Sequence, residues 1–466
     1  MTTPKALPHQ LEGTRFLRDH AAAGLFDEQG LGKSKQLIDA LTEEINSNAL
    51  DGALIVCPNI LKTTWKEEVE KHSALRPVIF GAGRSARKTG FRSLRGQVFI
   101  INYEAVAAEL PSLRALLRFK RIALVLDESH RIKTPNSKVT RAIHSLRTDA
   151  ARRFIMSGTP VANKPEDIWS QVYFLDDGAT LGATFDEFKS RYMLGRGYTN
   201  LDALQERLST LTLRRRKEGT IDLPEKSVAR IPIRLSGAQQ RMYDEMRNEL
   251  ALWVRSMDGD EVLKHADDIL ARLVRLAQLA SNPSLIDSSY EETPAKFLAL
   301  DQVLERSLAS STTKVIVWSS FVGNIEALVK RYPQYSPVRL HGELGGVERD
   351  ASVTAFKNDP AVRLLVANPA AAREGLTLTV ATTAVYIDRT FNLVDYLQSQ
   401  DRIHRISQTR PCEIILLVGS NTIDEFIDFS LEQKSRVAQF VQGDREDVDP
   451  LDLSMTKPEV LRALVG

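Results

Sequence analysis

The sequence lacks several features that mark special classes of protein. Only two of its 466 residues are cysteines, Cys57 and Cys412, and both lie in apolar runs. We expect buried thiols in a reducing compartment, because a metal site would need more ligands. No apolar run approaches the ~20 residues of a membrane span, and the first five residues lack the apolar core of a signal peptide. The sequence also has no internal repeat and no low-complexity block, so we expect a globular protein that does not enter a membrane.

Net charge is also nearly absent, since 62 Lys and Arg residues oppose 60 Asp and Glu residues and leave +2. A nucleic-acid site would have to be a local basic patch, because the overall charge supplies little attraction. Hydrophobic residues make up 43% and charged residues 26% of the chain, as in proteins that bury large cores. The length favours about two to four domains.

The stretch Asp27-Glu28-Gln29-Gly30-Leu31-Gly32-Lys33-Ser34 predicts a loop that holds the phosphates of a nucleotide. Its two glycines free the backbone, so that N–H groups can turn toward phosphate oxygens. Lys33 would supply charge for the β- and γ-phosphates, and Ser34 an oxygen for Mg²⁺. The residues that follow have helical spacing, and a helix N-terminus favours anions. Asp27 stands where the full pattern has glycine, which leaves a glycine-rich turn before an ordinary helix as the alternative.

Two sets of short apolar runs alternate with helical stretches and predict parallel sheets covered on both faces. The first set is 53–57, 98–101, 122–126 and 153–156, and the second is 315–318, 364–367, 384–387 and 414–418. Helical patterns dominate from about 161 to 300. The sequence therefore predicts two α/β regions, in which ligands bind beyond the carboxyl ends of the strands.

Polar residues follow the strands at positions suited to chemistry. Asp127 could hold Mg²⁺ and Glu128 could orient and deprotonate an attacking water, although a turn with solvated acids is the alternative. Ser157 and Thr159 provide two hydroxyl groups on a predicted tight turn. Taken alone, the tetrapeptide 157–160 is more typical of a plain turn than of a functional site. Gln10 has an amide that can both donate to and accept from an adenine edge, yet a helical Gln is more often a solvated surface residue.

Arginines provide the remaining candidates. Arg402 and Arg405 are three residues apart, so on a helix they would share a face and could grip a phosphate with two guanidinium forks. The alternative is a helix surface with ion pairs. Two basic runs, 214–217 and 84–95, are typical of a solvated surface, with phosphate contact as the other interpretation.

Together these stretches resemble the Swi/Snf-type ATPases of helicase superfamily two, from Leu7 to about Val418. The matching stretches, in chain order, are 27–34, 55–58 with Trp65 and Glu68, 127–133, 157–160, 213–217 followed by 223–224 and by Gln240 with Tyr243, 276–283, 341–342 with Arg349 and Phe356, 374–379 and 400–408. Residues 213–224 and 276–283 are more specific to this family than the ATPase motifs are. The sequence departs from the family's usual pattern at a few positions. Thr377 stands where the family usually has Asn, Phe391 where it has Trp, and Ser407 where it has Gly. Residues 368–370 replace the more common Ser/Thr-containing start of the motif that includes 374–379. They affect the expected coupling to DNA more than the ATPase.

The resemblance implies an α/β fold of two RecA-like lobes with parallel sheets, plus helical protrusions between and beside them. We expect an N-terminal ATP-binding lobe at 1–225 with a helical insertion from about 161, then a helical protrusion and linker at 226–300. A C-terminal lobe would occupy 301–442, and an acidic tail 443–466.

The resemblance also implies a role for each candidate residue, with ATP and Mg²⁺ as cofactors. ATP binding is assigned to Gln10, Gly30, Leu31, Gly32, Lys33 and Ser34, and the metal to Ser34 and Asp127. Catalysis is assigned to Glu128, Arg402 and Arg405, and coupling to Ser157, Thr159 and Gly375. DNA contacts are expected of Lys62, Asn102, Lys133, Arg214 and Arg215.

The expected function is ATP-dependent translocation on double-stranded or branched DNA, with ATP hydrolysed in the cleft between the two lobes. One alternative is a helicase that separates DNA or RNA strands, and another is an ATP-gated clamp with little turnover. Glu128 argues against a clamp, which needs no water-activating carboxylate. The compact chain without appended modules favours a bacterial or viral source. We expect a monomer in the cytoplasm, or in the nucleus if the source is eukaryotic.

Overall fold

The computed structural model describes residues 5–80, 96–195, 197–257, 261, 264–372 and 376–447. These residues form two compact units. One contains the described residues up to Asp222 and from Arg436 onward, and the other contains Leu223–Ser435. Within the described ranges, no helix combines the length and apolarity needed to cross a bilayer.

The first unit is built on a seven-stranded sheet whose paired strands all run parallel, in the order β3-β4-β2-β5-β6-β1-β9. The strands are β1 (Ala22–Leu25), β2 (Gly52–Cys57), β3 (Pro77–Ile79), β4 (Val98–Asn102), β5 (Ile122–Asp127), β6 (Arg152–Met156) and β9 (Thr212–Leu213). A short antiparallel pair joins β7 (Met193–Leu194) to β8 (Gly197–Tyr198).

Helices connect these strands and cover the sheet. They are α1 (Pro8–Asp19), α2 (Lys33–Asn46), α3 (Leu61–His72), α4 (Tyr103–Phe119), α5 (Lys138–Leu146), α6 (Trp169–Asp176), α7 (Phe185–Tyr192) and α8 (Leu201–Ser209). Short 3-10 helices occur at Ser129–Ile132, Arg147–Asp149 and Pro165–Ile168. Every residue of β2 is buried, which explains why its sequence is almost continuously apolar.

The second unit contains a six-stranded parallel sheet in the order β10-β15-β14-β11-β13-β12. Its strands are β10 (Lys226–Ile233), β11 (Val315–Trp318), β12 (Val338–Leu340), β13 (Leu364–Ala367), β14 (Thr383–Tyr386) and β15 (Cys412–Gly419). Its helices are α9 (Gly237–Arg255), α10 (Ala266–Ser281), α11 (Ala295–Ser307), α12 (Val322–Arg331), α13 (Gly346–Asn358) and α14 (Leu393–Gln400), and α15 (Ile423–Val441) follows β15. Further 3-10 turns lie at Pro283–Leu285 and Pro333–Tyr335.

Strand β11 shows how this sheet buries both faces. Ile316 and Trp318 pack into one hydrophobic cluster, whereas Val315 and Val317 pack into another. Successive side chains of a strand point to opposite faces, so a strand buried on both faces must be apolar at every position. The two parallel sheets confirm the α/β fold predicted from the alternating apolar runs.

The structure corrects the sequence prediction at residues 226–300, which we expected to be helical protrusion and linker. Lys226–Ile233 is a strand that pairs with β15 and lies at the edge of the second sheet. An edge strand tolerates charged residues and a proline, because part of it faces solvent and one row of N–H groups needs no partner. The exposed Lys226 and Pro232 therefore concealed the strand.

The unit boundaries also differ from the predicted domains. The division falls after Asp222 rather than after Glu225, and Leu223–Ser435 forms one unit where we expected the separate domains 226–300 and 301–442. Residues 436–447 group with the first unit, although we expected 443–466 to be a separate tail. Within that tail, Asp444 has a side chain only 6% exposed, and residues 448–466 lie outside the described part of the chain.

Candidate nucleotide site

The predicted phosphate loop joins β1 to α2 in the first unit. Gly30 and Gly32 adopt φ values of 93° and 79°, a left-handed backbone that other residues rarely adopt. A Cβ atom added at Gly32 would lie 2.3 Å from Nε2 of Gln10, so the amide of Gln10 would have to move away from the loop. Gly32 is the N-cap of α2, and the following Lys33 and Ser34 form its first turn. The loop therefore leads into a helix N-terminus, where backbone N–H groups favour an anion.

Helix α1 holds this loop from one side. Gln10 accepts a hydrogen bond from the N–H of Leu7 at 3.0 Å and donates to the main-chain oxygen of Leu31 at 3.4 Å. The Nε2 atom of His9 lies 2.9 Å from the same oxygen of Leu31. The amide of Gln10 thus supports the loop, and its contact with adenine stays a prediction.

Lys33 folds back over the loop that precedes it. Its Nζ atom donates to the main-chain oxygen of Asp27 at 2.7 Å and to that of Glu28 at 3.3 Å. Burial lowers the pKa of the Lys33 ammonium, and the carboxylates of Glu128, Asp27 and Asp127 oppose that shift. A cation held among main-chain oxygens and carboxylates is available to exchange those contacts for phosphate oxygens.

Asp127 is the last residue of β5, the strand two places from β1 in the sheet, and Glu128 follows it. Asp127 accepts from the indole Nε1 of Trp65 at 2.8 Å through Oδ2, and from the Glu128 N–H at 3.0 Å through Oδ1. Glu128 has φ 52° and ψ 53°, a left-handed conformation that is uncommon for a residue with a side chain. Its Oε1 accepts from Nε2 of Gln29 at 3.2 Å. The structure thus brings the proposed water-activating carboxylate against the phosphate loop.

The Ser157–Thr159 turn is linked to the same carboxylate through His130. Nδ1 of His130 lies 3.4 Å from Oε2 of Glu128 and 3.3 Å from Oγ of Ser157. Ser157 Oγ also accepts the N–H of Thr159 at 3.1 Å. A Cβ added at Gly158 would come within 2.5 Å of Cγ of Gln29, so this turn also packs against the loop. The contacts of His130 were not predicted from the sequence, although His130 stands in the same tetrapeptide as Asp127.

The basic run at 214–217 proves to be part of the loop's support. The N–H groups of Phe26 and Glu28 donate to the main-chain oxygens of Leu213 and Arg215 at 2.8 and 3.0 Å. Arg215 then forms an ion pair with Asp27, whose side chain is fully buried. Sequence analysis noted Asp27 as a departure from the glycine pattern, and this partner accounts for it.

Arg214 is engaged with the C-terminal residues of the first unit. Its Nε and Nη2 atoms donate to the two carboxylate oxygens of Asp444 at 3.1 and 2.6 Å, and Nη1 donates to the Phe26 oxygen at 2.6 Å. The side chains of Arg214 and Arg215 are only 14% and 12% exposed. We expected both to contact DNA, and we withdraw that expectation because their guanidinium groups are bound inside the unit.

The other three residues expected to contact DNA lie near the carboxyl ends of neighbouring strands in the first sheet. Asn102 ends β4, while Lys62 follows β2 and Lys133 follows β5, and these three strands are neighbours. Their present partners are weak or local: Lys62 Nζ to the Phe80 oxygen at 3.4 Å, Asn102 Nδ2 to Glu104 at 2.7 Å, and Lys133 Nζ to Asp167 at 3.8 Å. These three side chains therefore stay as candidates for DNA contact.

In the second unit, Arg402 and Arg405 do not lie on a helix as expected. Helix α14 ends at Gln400, and both arginines occupy the turns that follow. They still converge, because Nη1 of each donates to the main-chain oxygen of Leu376, at 3.0 and 3.3 Å. Arg405 also donates to Oγ1 of Thr377 at 2.8 Å. Gly375, expected to take part in coupling, lies outside the described residues.

A third cation accompanies this pair. Burial lowers the pKa of Lys357, and the positive charge of Arg405 lowers it further. Arg402 is 3% exposed, and its Nε donates to the main-chain oxygen of Gln398 at 2.8 Å. Lys357 is therefore near enough to Arg405 to feel its charge, and the arginine pair remains the candidate for contact with phosphate oxygens.

Two parallel sheets, with the predicted phosphate loop in one unit and the predicted arginine pair in the other, are what we expect of a helicase-like ATPase with two RecA-like lobes. The chain belongs to the SNF2 family: residues 9–285 match the SNF2-related domain and residues 295–407 the helicase conserved C-terminal domain. This family membership confirms the resemblance found in the sequence, and with it an ATP-dependent, helicase-like enzyme.

The chain is also similar to named proteins and to a solved structure. The chain is 28% identical over 461 residues to the chromodomain-helicase-DNA-binding protein 1-like of Danio rerio, covering 93% of this chain and 44% of the relative. It is 24% identical over 440 residues to the uncharacterized ATP-dependent helicase MG018 of Mycoplasma genitalium, covering 92% and 42%. The chain therefore spans less than half the length of these relatives. Among solved structures, the SWI2/SNF2 ATPase core of Sulfolobus solfataricus in complex with dsDNA gives a TM-score of 0.45 at 26% identity, covering 95% and 94%.

Proposed function

We propose that this SNF2-family ATPase moves along double-stranded DNA and hydrolyses ATP to do so, without separating the strands. The contact between Gln29 and Glu128, at 3.2 Å, carries the catalytic part of the proposal. It supports a single site in which the phosphate loop and the water-activating carboxylate face each other. Lys33 and the N-terminus of α2 would bind the phosphates there.

The same site fits a magnesium ion. Asp127 and Ser34 offer oxygen ligands, which Mg²⁺ prefers, and Mg²⁺ is usually held by one or two carboxylates together with substrate phosphates. Among the described residues, no group of three or more His, Cys, Asp and Glu side chains is placed to hold a metal ion. When bound, Mg²⁺ would neutralise charge on the β- and γ-phosphates.

Glu128 would orient the attacking water and accept its proton, and Arg402 and Arg405 would stabilise the charge that develops on the transferred phosphoryl group. The carboxylate belongs to the first unit and the arginines to the second. Hydrolysis in this proposal depends on both units, which is how a binding cycle could drive movement. His130, Ser157 and Thr159 would carry information about the γ-phosphate, because they are linked to Glu128 by consecutive short contacts.

Duplex DNA is proposed as the track on two grounds. Three neighbouring strands end shortly before or at Lys62, Asn102 and Lys133. These residues therefore lie near the carboxyl ends of the strands, where parallel sheets bind ligands. The Danio rerio relative is named a helicase-DNA-binding protein, which suggests the same class of polymer here. Phosphate contacts of this kind would bind without regard to sequence and weaken as salt rises.

Purified protein should be assayed for ATP hydrolysis with duplex DNA, single-stranded DNA and RNA, with Glu128→Gln as the inactive control. We expect duplex DNA to stimulate turnover most. A duplex-bound third strand should be displaced, whereas a forked duplex should stay paired. Greater stimulation by RNA, or ATP-dependent unwinding of the fork, would contradict the proposal. Binding without turnover would instead indicate a clamp.

A further inference from the structure

Trp65 makes a contact that the ATPase motifs do not explain. It lies in α3, is 3% exposed, and its Nε1–H donates to Oδ2 of Asp127 at 2.8 Å. A buried indole N–H usually finds an acceptor, and that acceptor is most often neutral main chain or water. Here the acceptor is the carboxylate of Asp127, which is the metal ligand in the proposed function.

Asp127 is fixed by two further contacts. Its Oδ1 accepts the N–H of Glu128 at 3.0 Å, and its main-chain oxygen accepts the hydroxyl of Tyr103 at 2.7 Å. These N–H groups reach both carboxylate oxygens, which sets the orientation of the group. A carboxylate has about four acceptor positions, so accepting two N–H groups does not by itself prevent it from binding a cation or its waters.

The donor is also neutral, and this matters for a cation site. An arginine or lysine in the place of Trp65 would cancel the negative charge of Asp127 and repel a divalent ion. An indole N–H stabilises the carboxylate and leaves its charge intact. Partners that orient a ligating carboxylate typically change metal affinity by about 10- to 100-fold when they are removed.

We propose that Trp65 is a positioning residue that orients Asp127 for the divalent cation that accompanies the nucleotide. This inference rests on the metal role of Asp127 in the proposed function. Trp65 itself touches neither nucleotide nor metal in this proposal. Its effect should appear as a change in metal affinity rather than as a loss of nucleotide binding.

Trp65→Phe removes the N–H and keeps most of the packing. The matched control is Trp169→Phe, because Trp169 lies in the same unit, is 6% exposed, and donates its indole N–H to the Gly182 oxygen at 3.0 Å. Mn²⁺ binding to the ADP-bound proteins should be measured by electron paramagnetic resonance, and ADP binding should be measured separately in EDTA.

We expect Trp65→Phe to raise the Mn²⁺ concentration for half-saturation by about tenfold or more. ADP affinity in EDTA should stay within about twofold of wild type, and Trp169→Phe should leave both quantities within that range. The Mg²⁺ concentration for half-maximal ATP turnover should rise in parallel, with activity recovering at high Mg²⁺. A Trp65→Phe protein with wild-type Mn²⁺ affinity would overturn the proposal.

A second measurement uses the wild-type chain, in case Trp65→Phe folds poorly. The protein has four tryptophans, so ¹⁵N-indole labelling gives at most four side-chain signals. Single substitutions of Trp169, Trp253 and Trp318 by Phe assign the Trp65 signal by elimination. Adding Mg²⁺ to the ADP complex should move the Trp65 signal and leave that of Trp169 in place. A Trp65 signal that does not respond would contradict the proposal.

Asp127→Asn separates this inference from the proposed function. If Asp127→Asn loses Mn²⁺ binding while Trp65→Phe keeps it, Asp127 holds the metal without help from Trp65, and only the present inference is wrong. If Asp127→Asn binds Mn²⁺ like wild type, the metal role of Asp127 and the positioning role of Trp65 both fail. A loss of Mn²⁺ binding in Asp127→Asn together with a tenfold weaker Trp65→Phe supports both.

Discussion

Arg215 and Asp27 form a two-pronged ion pair beneath the phosphate loop. Nε and Nη2 of the guanidinium donate to Oδ1 and Oδ2 of the carboxylate at 2.9 and 2.6 Å. Gln36 joins the pair, since its Nε2 donates to Asp27 Oδ2 at 3.0 Å and its Oε1 accepts from Arg215 at 2.7 Å. Because the main-chain oxygen of Asp27 also accepts from Lys33, this pair fixes the loop that carries the phosphate-binding lysine.

We expect Arg215→Ala to destabilise the first unit by about 3–5 kcal/mol, because it leaves the buried Asp27 carboxylate without its cation. Arg215→Lys should recover only part of the loss, since an ammonium does not match the two oxygens as a fork does. Arg216→Ala is the control: its side chain is 46% exposed and pairs with a 79% exposed Glu218. Urea denaturation measures all three, and equal losses for Arg215→Ala and Arg216→Ala would contradict a structural role for the buried pair.

Lys33→Ala and Glu128→Gln should both abolish ATP turnover, but by different routes. Lys33→Ala removes the charge that faces the phosphates, so ATP affinity and turnover should fall together. Glu128→Gln keeps the size of the side chain and loses its basicity, so ATP should still bind while kcat falls by about 10²–10⁴. Glu70→Gln, 52% exposed on the surface of α3, is the control. Turnover in Glu128→Gln near the wild-type rate would exclude Glu128 as the base.

The arginine pair should act on rate and not on nucleotide affinity. Arg405→Ala is the cleaner probe, because Arg402 is only 3% exposed and its loss would also disturb packing. We expect kcat to fall by about 10³–10⁵ with ADP affinity unchanged, as when an arginine that stabilises phosphoryl transfer is removed. Arg410→Ala changes an exposed arginine of the same region and should keep wild-type kcat. An unchanged kcat in Arg405→Ala would remove this arginine from the mechanism.

The sequence predicted the strands that are buried on both faces, because such strands are continuously apolar. It missed β1, whose residues Ala22–Leu25 are too few and too small to form a clear apolar run. It missed β10 because an edge strand mixes charged and apolar residues, and β12 because it has only three residues. These strands were not predicted because they are short or are buried on one face, and such strands do not form a long, continuous apolar run.

In the candidate site, local spacing predicted the phosphate loop and the acidic pair but not their partners. Arg215 lies 188 residues from Asp27 and Trp65 lies 62 from Asp127, and no local pattern encodes contacts over such distances. The sequence of the basic run at 214–217 was compatible with a solvated surface or with phosphate contact. Arg214 and Arg215 instead form buried ion pairs, which neither interpretation predicted. Long-range partners of catalytic groups depend on the order of strands in the sheet, which these local motifs do not fix.

His144 provides a prediction on pH. Burial lowers the pKa of His144 to about 4, and the nearby charge of Arg147 lowers it further. The hydrogen bond between Nε2 of His144 and the main-chain oxygen of Ser170, at 2.9 Å, has the opposite effect on this pKa. In the unfolded chain the pKa of a histidine is about 6.5. Between these two values the unfolded state binds more protons, so folding stability should fall as pH falls from about 6.5 toward 4.

The full difference corresponds to roughly 3 kcal/mol, which is lost over that interval. His144→Gln keeps an N–H donor for Ser170 but does not titrate, so its stability should depend less steeply on pH below 6.5. His265→Gln is the control, because His265 is 48% exposed. Urea denaturation at pH 7.5, 6.0 and 5.0 gives the comparison, in which other titrating groups cancel between variant and wild type. If His144→Gln and wild type lose stability in parallel, His144 is not the buried neutral histidine that its surroundings imply.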